Sequence, residues 1–157
     1  IRSFSIISRI ARYKWESTIA SVLIIGGGGM IGQKLALSYK ENQTVSLLDR
    51  AFPENGDLNS KKILGSVSDA SIVEKILSEL PDTIFYLASV VSGEAETNFS
   101  KGWDINIKAF WSFLAKIRDQ YLMTNGQYKP KIIFTSSIAV FGSPFPDEIS
   151  DDFLTAP

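Results

Sequence analysis

The chain has 157 residues, of which 45% are apolar, 16 are basic and 17 are acidic. This length and apolar content predict one domain with a hydrophobic core. A net charge of −1 gives no electrostatic reason to expect a nucleic-acid partner, so we expect none. The absence of cysteine and histidine excludes thiolate nucleophiles, disulfides, zinc sites built on those residues and a Ser-His-Asp triad. No carboxylate motif indicates Mg²⁺ either, and we expect no metal.

The first 15 residues contain four basic side chains and no acid: Arg2, Arg9, Arg12 and Lys14. An Arg-rich, Ser-rich and acid-poor segment is typical of an organelle transit peptide, and a membrane-surface helix or a disordered leader is the alternative. We therefore assign residues 1–20 to an extension and residues 21–157 to the domain. No apolar run approaches the ~20 residues that a membrane-spanning helix needs. We expect no membrane partner and a cytoplasmic location, or a mitochondrial one if the extension is a transit peptide.

Short apolar, β-branched runs alternate with amphipathic stretches after residue 20. Strands are predicted at 21–25, 44–48, 62–64, 83–87 and 131–135. Helices are predicted at 30–40, 69–80 and 97–123, and the proline-containing stretch after the last strand is predicted as loop. Strands that alternate with helices predict a parallel sheet with right-handed crossovers and helices on both faces. The expected fold class is therefore α/β, a three-layer, Rossmann-type doubly wound sheet.

Glycines join the first predicted strand to the first predicted helix. The run Gly26-Gly27-Gly28-Gly29-Met30-Ile31-Gly32 provides a tight turn, close backbone approach to a pyrophosphate and close packing of the helix on the strand. The helix N-terminus presents unpaired N–H groups to the phosphates. We predict a dinucleotide site that uses Gly26, Gly29, Met30, Ile31 and Gly32. The run satisfies both Gly-x-Gly-x-x-Gly and Gly-x-x-Gly-x-x-Gly, so it does not decide the Rossmann subclass.

A carboxylate follows the second predicted strand. Asp49 is placed to accept hydrogen bonds from the hydroxyls of the adenosine ribose, and it would repel the 2′-phosphate of NADP. This favours NAD as the cofactor. Arg50 beside it is the counter-argument, because arginine can neutralise that phosphate.

Three later segments resemble the extended short-chain dehydrogenase/reductase family, which includes nucleotide-sugar epimerases and dehydratases. They are Phe85–Ser89, Asn106 within Trp103–Ile107, and Phe134–Gly142. The resemblance covers about residues 21–157. It implies that Leu87, Ala88 and Ser89 run beneath the cofactor and that Asn106 ties its helix to the neighbouring strand. It also implies that Ser137 is the catalytic serine; the alternative for Ser137 is a strand-end serine that satisfies backbone groups.

Within that family, Val90–Glu96 and Ser136–Gly142 resemble the D-erythronate dehydrogenase-like group. This resemblance implies NAD-dependent oxidation of a small-molecule sugar acid with four carbons, at its C2 hydroxyl. Ser92, Gly93 and Glu94 are then candidate substrate contacts, with a solvated loop as the alternative.

The sequence also departs from the family pattern. Ser66 stands where the family often has an acid that contacts the adenine amine, so we expect adenine recognition to use Ser66 and the backbone of Val67. No tyrosine is followed four residues later by lysine, and the family's Tyr-x-x-x-Lys is expected after Pro157. We therefore expect a domain that is incomplete at its C-terminus, binds NAD weakly and turns over no substrate alone. An incomplete nucleotide-sugar epimerase or dehydratase and a non-catalytic dinucleotide-binding module remain the alternatives.

Aromatic side chains recur along the predicted helix over residues 97–123. Trp103 and Phe110 fit its buried stripe, which leaves Trp111 and Phe113 as candidates for a homodimer interface.

Overall fold

The computed structural model describes residues 20–39, 43–56, 59–142, 144, 147–150 and 152–155. Of the predicted extension only Ala20 lies within these ranges, and the prediction for residues 1–19 lies outside the described residues. Five parallel strands form one sheet in the order β3-β2-β1-β4-β5. They are β1 (Ser21–Ile25), β2 (Thr44–Asp49), β3 (Lys61–Leu64), β4 (Thr83–Tyr86) and β5 (Lys131–Phe134). The predicted parallel, doubly wound Rossmann-type sheet is confirmed.

Helices cover both faces of the sheet, so the domain has three layers. On one face, α1 (Met30–Ser38) packs its Ala36 against Val22 and Ile24 of β1. On the other face, α2 (Ala70–Leu77) and α5 (Phe110–Met123) pack against Leu23 and Ile25 of the same strand. The alternation of side chains along a strand explains why β1 is apolar from Val22 to Ile25: each of its faces is buried beneath a helix.

The first two helices are shorter than predicted. The helix predicted to Lys40 ends at Ser38, and its Ile31 and Leu37 are exposed because the small residues Gly32 and Ala36 form its buried face. Asp69 caps α2 by accepting a hydrogen bond from the Ser71 N–H at 2.8 Å. That helix ends at Leu77 instead of Leu80, since Leu80 adopts a left-handed backbone conformation with φ of 51° before the proline.

The predicted helix over residues 97–123 is interrupted. Within it lie α4 (Phe99–Trp103), a π-helical segment (Asp104–Ala109) and α5 (Phe110–Met123), and a short helix that was not predicted, α3 (Ser92–Thr97), precedes them. A π-helical turn holds an extra residue, so the faces before and after it are rotated relative to each other. Two predictions are wrong. Trp103, before the π-helical segment, is 53% exposed, and Phe113, on the same face of α5 as Ile117, is 0% exposed in the core. Phe110 is partly buried against the core, as predicted, and Trp111 is exposed.

The segment after β5 is not wholly loop, because Ile138–Phe141 forms a short 3₁₀ helix. Pro144 lies in the described part of this stretch, whereas Pro146 and Pro157 lie outside it. Across the described ranges, no helix combines the length and the apolar character needed to cross a lipid bilayer.

Candidate cofactor-binding site

The candidate site lies where the strand order reverses. β1 pairs with β2 on one side and with β4 on the other, so the connections after β1 and β4 leave the sheet in opposite directions. The crevice at such a switch point is the usual ligand site of a doubly wound sheet. A cleft of about 310 Å³ opens there. Nine predicted site residues line it: Gly26, Gly29, Asp49, Ser66, Val67, Leu87, Ala88, Ser89 and Glu94.

The glycine loop is shaped by backbone contacts. Gly26 has a φ of 89°, and a Cβ there would lie 2.8 Å from the Ala88 nitrogen. A Cβ at Gly32 would lie 2.4 Å from the Gly26 carbonyl oxygen, so this glycine allows α1 to approach the loop. Gly29 differs, because the nearest atom to its Cβ would be the Gly26 oxygen at 3.4 Å. Gly26 and Gly29 line the cleft, and together with Gly32 they have the Gly-x-x-Gly-x-x-Gly spacing.

The other two glycines of the run brace the loop. The Gly28 N–H donates to the Asp49 carboxylate at 2.9 Å, and a Cβ at Gly28 would lie 2.0 Å from the Ala51 carbonyl oxygen. The Gln33 side chain donates to the Gly27 carbonyl at 2.6 Å. This bracing role of Gly28 was not predicted from the sequence, although a run of four consecutive glycines indicated that each position of the loop is confined.

Asp49 is fixed at the end of β2. Besides the bond from Gly28, its carboxylate accepts the Arg50 N–H at 2.7 Å, and its carbonyl accepts the Gly65 N–H at 2.9 Å. Each carboxylate oxygen can accept more than one hydrogen bond, so acceptor capacity remains for a ligand hydroxyl. Asp49 and Arg50 both line the cleft.

The wall after β3 has no carboxylate among its lining residues. Ser66 and Val67 both line the cleft, and Val67 is 7% exposed. The Ser66 hydroxyl accepts the Ser68 N–H at 3.2 Å, a bond that closes its own turn. The wall thus offers an apolar side chain and backbone groups to a flat ring.

The wall after β4 is held from two sides. The Leu87 N–H donates to the Ile25 carbonyl at 2.8 Å, which extends the β1–β4 pairing into the cleft. Asn106, in the π-helical segment, bonds both the N–H and the carbonyl of Val90 at 2.8 Å each. Asn106 therefore ties its helix to the chain leaving β4.

Four further predicted residues do not line the cleft: Met30, Ile31, Gly32 and Ser137. Met30 and Ile31 are exposed in the first turn of α1, and neither they nor Gly32 line the cleft. Ser137 follows β5, is exposed, and accepts the Ala139 N–H on its hydroxyl oxygen at 3.2 Å as the cap of the 3₁₀ helix. That bond leaves the hydroxyl proton of Ser137 available for donation.

The three predicted substrate contacts lie at the start of α3. Ser92 is the first residue of α3, and its side chain lies outside the described part of the structure. A Cβ on Gly93 would meet nothing within 4 Å. Glu94 forms an ion pair with Lys101 of α4, and both side chains line the same cleft as Gly26 and Asp49. Lys101 was not among the predicted site residues, and no motif in the sequence indicated it.

The fold, the glycine loop and the cleft together define a dinucleotide-binding Rossmann domain. The model of the NAD dependent epimerase/dehydratase family matches residues 22–157, so the chain belongs to that family. NAD is the cofactor of the family.

Similar proteins include two D-erythronate dehydrogenases. The one from Cupriavidus necator is 30% identical over 150 residues, which is 87% of this chain and 44% of the relative. The one from Haemophilus influenzae is 28% identical over 143 residues, again 87% of this chain and 44% of the relative. The chain thus spans less than half the length of the curated relatives that it matches.

Solved structures agree on the fold. A nucleoside-diphosphate-sugar epimerase from Agrobacterium tumefaciens is 35% identical, with a TM-score of 0.71 over 88% of this chain and 43% of that one. A UDP-glucose 4-epimerase from Brucella ovis in complex with NAD is 23% identical, with a TM-score of 0.65 over 88% of this chain and 42% of that one. The second similarity concerns the fold alone.

The residues of the cleft fit NAD. Gly29 lines the cleft at the N-terminus of α1, where a Cβ would make only an ordinary van der Waals contact, with the Gly26 oxygen at 3.4 Å. The first turn of α1 contains no acidic residue to repel a pyrophosphate. Asp49 supplies a carboxylate at the end of β2, a group that can accept a hydrogen bond from a ribose hydroxyl, and Val67 supplies an apolar surface.

Proposed function

We propose that this chain is the NAD-binding part of an oxidoreductase that oxidises the C2 hydroxyl of a four-carbon sugar acid such as D-erythronate. The observation that carries the proposal is the pairing of an NAD-type cleft with the segment Val90–Glu96 along its wall. That segment resembles the D-erythronate dehydrogenase group, two members of which match most of the chain.

The residues of the cleft have separate roles in this proposal. The N–H groups at the start of α1 hold the pyrophosphate, with Gly29 keeping their approach open. Asp49 accepts the adenosine ribose hydroxyls, and Val67 contacts the adenine. NAD, when bound, would accept the hydride from the carbon that is oxidised, and the hydroxyl proton would pass to a general base, for which the family's Tyr-x-x-x-Lys is the expected source. Ser137 donates a hydrogen bond to the substrate oxygen on that carbon and so orients it.

A nucleotide-sugar substrate is the second candidate. The observation that favours it is the 35% identity to the nucleoside-diphosphate-sugar epimerase from Agrobacterium tumefaciens. The two candidate functions share the cofactor cleft and differ in the substrate that is bound beyond Ser89 and Glu94.

A chimeric enzyme tests the proposal. Residues 20–142 of this chain are fused to the C-terminal remainder of the Cupriavidus necator relative. Oxidation of D-erythronate is followed by NADH formation, and conversion of UDP-glucose, which forms no net NADH in an epimerase, is followed by chromatography of the nucleotide sugars. We expect activity with D-erythronate, a loss of about 100-fold in Ser137→Ala and little change in the neighbouring Ser136→Ala. Turnover of UDP-glucose alone would favour the second candidate. A chimera that folds, binds NAD and oxidises neither compound would refute the oxidoreductase proposal for this half.

A further inference from the structure

We propose that Lys101 is a further cofactor-binding residue, whose ammonium group neutralises the phosphates of the dinucleotide, and that Glu94 is the carboxylate with which this lysine pairs before the dinucleotide binds. The proposal rests on the proposed NAD-binding role of the cleft and goes beyond it by naming the side chain that supplies its positive charge.

The position of Lys101 is set by the two short helices α3 and α4. Asn98 joins them, and its side chain accepts the Lys101 N–H at 3.0 Å. A Cβ added to Gly102 would lie 3.1 Å from the Ala95 Cβ, so the two helices are in close contact. The ion pair between Glu94 and Lys101 closes this hairpin on the side of the cleft. Lys101 thus projects from a braced element into the space that Gly26 and Gly29 also line.

The charges around the cleft point to a phosphate partner for this lysine. Asp49 and Glu94 are the carboxylates that line the cleft among the described residues, and Arg50 and Lys101 are the cations. Arg50 follows Asp49 directly in sequence, at the ribose end of the cleft. Lys101 lies one helical turn before Ile105, and both line the wall formed by α4 and the π-helical segment. Of the two cations that line the cleft, Lys101 is therefore the one that is not next to Asp49, the proposed ligand of the ribose.

The ion pair between Glu94 and Lys101 is weak enough for Lys101 to exchange Glu94 for another anion. The Lys101 side chain is 37% exposed and that of Glu94 is 57% exposed, and ion pairs this open to water are weak. A lysine ammonium on a flexible four-carbon stem can turn to a second anion without movement of its backbone. A hydrogen bond from an ammonium to a phosphate is charge-assisted and stronger than a neutral one. Binding of a dinucleotide would thus replace a weak carboxylate partner with a doubly charged pyrophosphate.

Lys108 provides a matched control on the same helical stretch. It pairs with Asp104 at 3.6 Å, its side chain is 70% exposed, and it does not line the cofactor cleft. Lys108→Met removes the same charge from the chain as Lys101→Met, so any general electrostatic effect appears in both variants.

The test is calorimetric titration of the full 157-residue chain and its variants with NAD, ADP-ribose and adenosine, at low and at high salt. We expect Lys101→Met to weaken NAD and ADP-ribose by roughly tenfold at low salt, to leave adenosine unchanged and to flatten the salt dependence. We expect Lys101→Arg to restore most of the affinity, Lys108→Met to stay within about twofold of the parent, and Glu94→Gln to bind NAD at least as tightly as the parent.

Two results would overturn the inference while the proposed function stands: a parent chain that binds NAD with Lys101→Met binding it equally well, or a loss in Lys101→Met that extends equally to adenosine. The second result would assign Lys101 a purely structural role. A parent chain that binds neither NAD nor ADP-ribose would overturn the cofactor-binding proposal together with this one.

Discussion

Asn106 bonds both polar groups of the Val90 backbone, as acceptor for its N–H and as donor to its carbonyl, each at 2.8 Å. Asn106 lies in the π-helical segment, and Val90 lies on the chain that leaves β4 along the cleft. A side-chain amide is the group that can satisfy a backbone N–H and carbonyl together. The pair therefore fixes the distance between the helical wall of the cleft and its β4 wall.

Replacement of Asn106 should destabilise the fold. Asn106→Ala leaves two part-buried backbone groups without their partner, and we expect a loss of about 2 kcal/mol in the free energy of unfolding. Urea denaturation measures it, with the exposed Ser112→Ala on α5 as the control. Equal stability of the Asn106→Ala and Ser112→Ala variants would show that the two bonds contribute nothing.

Two glycines of the loop should respond differently to the same added methyl group. Gly32→Ala places a Cβ 2.4 Å from the Gly26 oxygen and should destabilise the fold by more than about 2 kcal/mol. Gly29→Ala meets its nearest atom at 3.4 Å and should leave stability within about 0.5 kcal/mol while it weakens NAD binding. Thermal denaturation and NAD titration of both variants check this. Equal losses of stability would contradict the assignment of Gly29 to the cleft.

Two buried tyrosines differ in whether the hydroxyl has a hydrogen-bond partner, so replacing each with phenylalanine measures what that hydrogen bond contributes to stability. The Tyr86 hydroxyl is buried without a hydrogen-bond partner among the described residues, and the Tyr86 ring packs against those of Phe110, Phe113 and Phe134. The buried Tyr128 hydroxyl donates to the Pro81 carbonyl at 3.1 Å. We expect Tyr86→Phe to be neutral or stabilising and Tyr128→Phe to cost about 1 kcal/mol in urea denaturation. Destabilisation by Tyr86→Phe would reveal a partner for that hydroxyl.

Tyr86 should also give the fold a dependence on alkaline pH. Burial raises the pKa of Tyr86 from 10.0 to about 12. Between these values the unfolded chain loses the phenolic proton and the folded chain keeps it, so stability should fall as pH rises through that window. Denaturation midpoints at pH 9, 10 and 11 should fall more steeply for the parent chain than for Tyr86→Phe. Parallel curves would mean that this phenol titrates normally in the fold.

We expect the exposed face of α4 and α5 to pair with a second copy of the chain. Exposed apolar side chains follow one another along it: Phe99, Trp103, Ile107 and Trp111. Phe99 and Trp103 stack on each other, Ile107 belongs to the π-helical segment between α4 and α5, and exposed apolar side chains of this size are typical of an interface. Sedimentation of the parent chain should show a concentration-dependent dimer that Trp111→Ser weakens at least tenfold, whereas the exposed Leu154→Ser should not. A parent chain that remains monomeric throughout would contradict this expectation.

The sequence predicted most of the fold because its signals were local. The five apolar runs and the glycine loop each follow from residues close together in the chain, and strands alternating with helices admit few arrangements. The ends of α1 and α2 were missed by two or three residues, since Ser38 and Leu77 carry no strong stop signal.

The errors arose where structure depends on distant contacts. The π-helical segment shifts the helix phase between Trp103, which is exposed, and α5. Phe113 was misassigned for a different reason: it lies three residues after Phe110 and four before Ile117, so it belongs to the buried stripe of α5. The ion pair of Glu94 with Lys101 depends on the hairpin of α3 and α4, which the sequence analysis did not predict. Gly26, Asp49 and Leu87 were predicted as site residues because they end or follow strands, and in a parallel sheet those ends meet.

The most direct test of the central claim is titration of the full chain with NAD and with NADP, in parallel with Asp49→Ser. Because the Asp49 carboxylate lines the cleft, we expect saturable NAD binding at one site, NADP weaker by at least tenfold, and a smaller difference between the two in Asp49→Ser. A parent chain that shows no saturable NAD binding, or that binds NADP as tightly as NAD, would contradict the account.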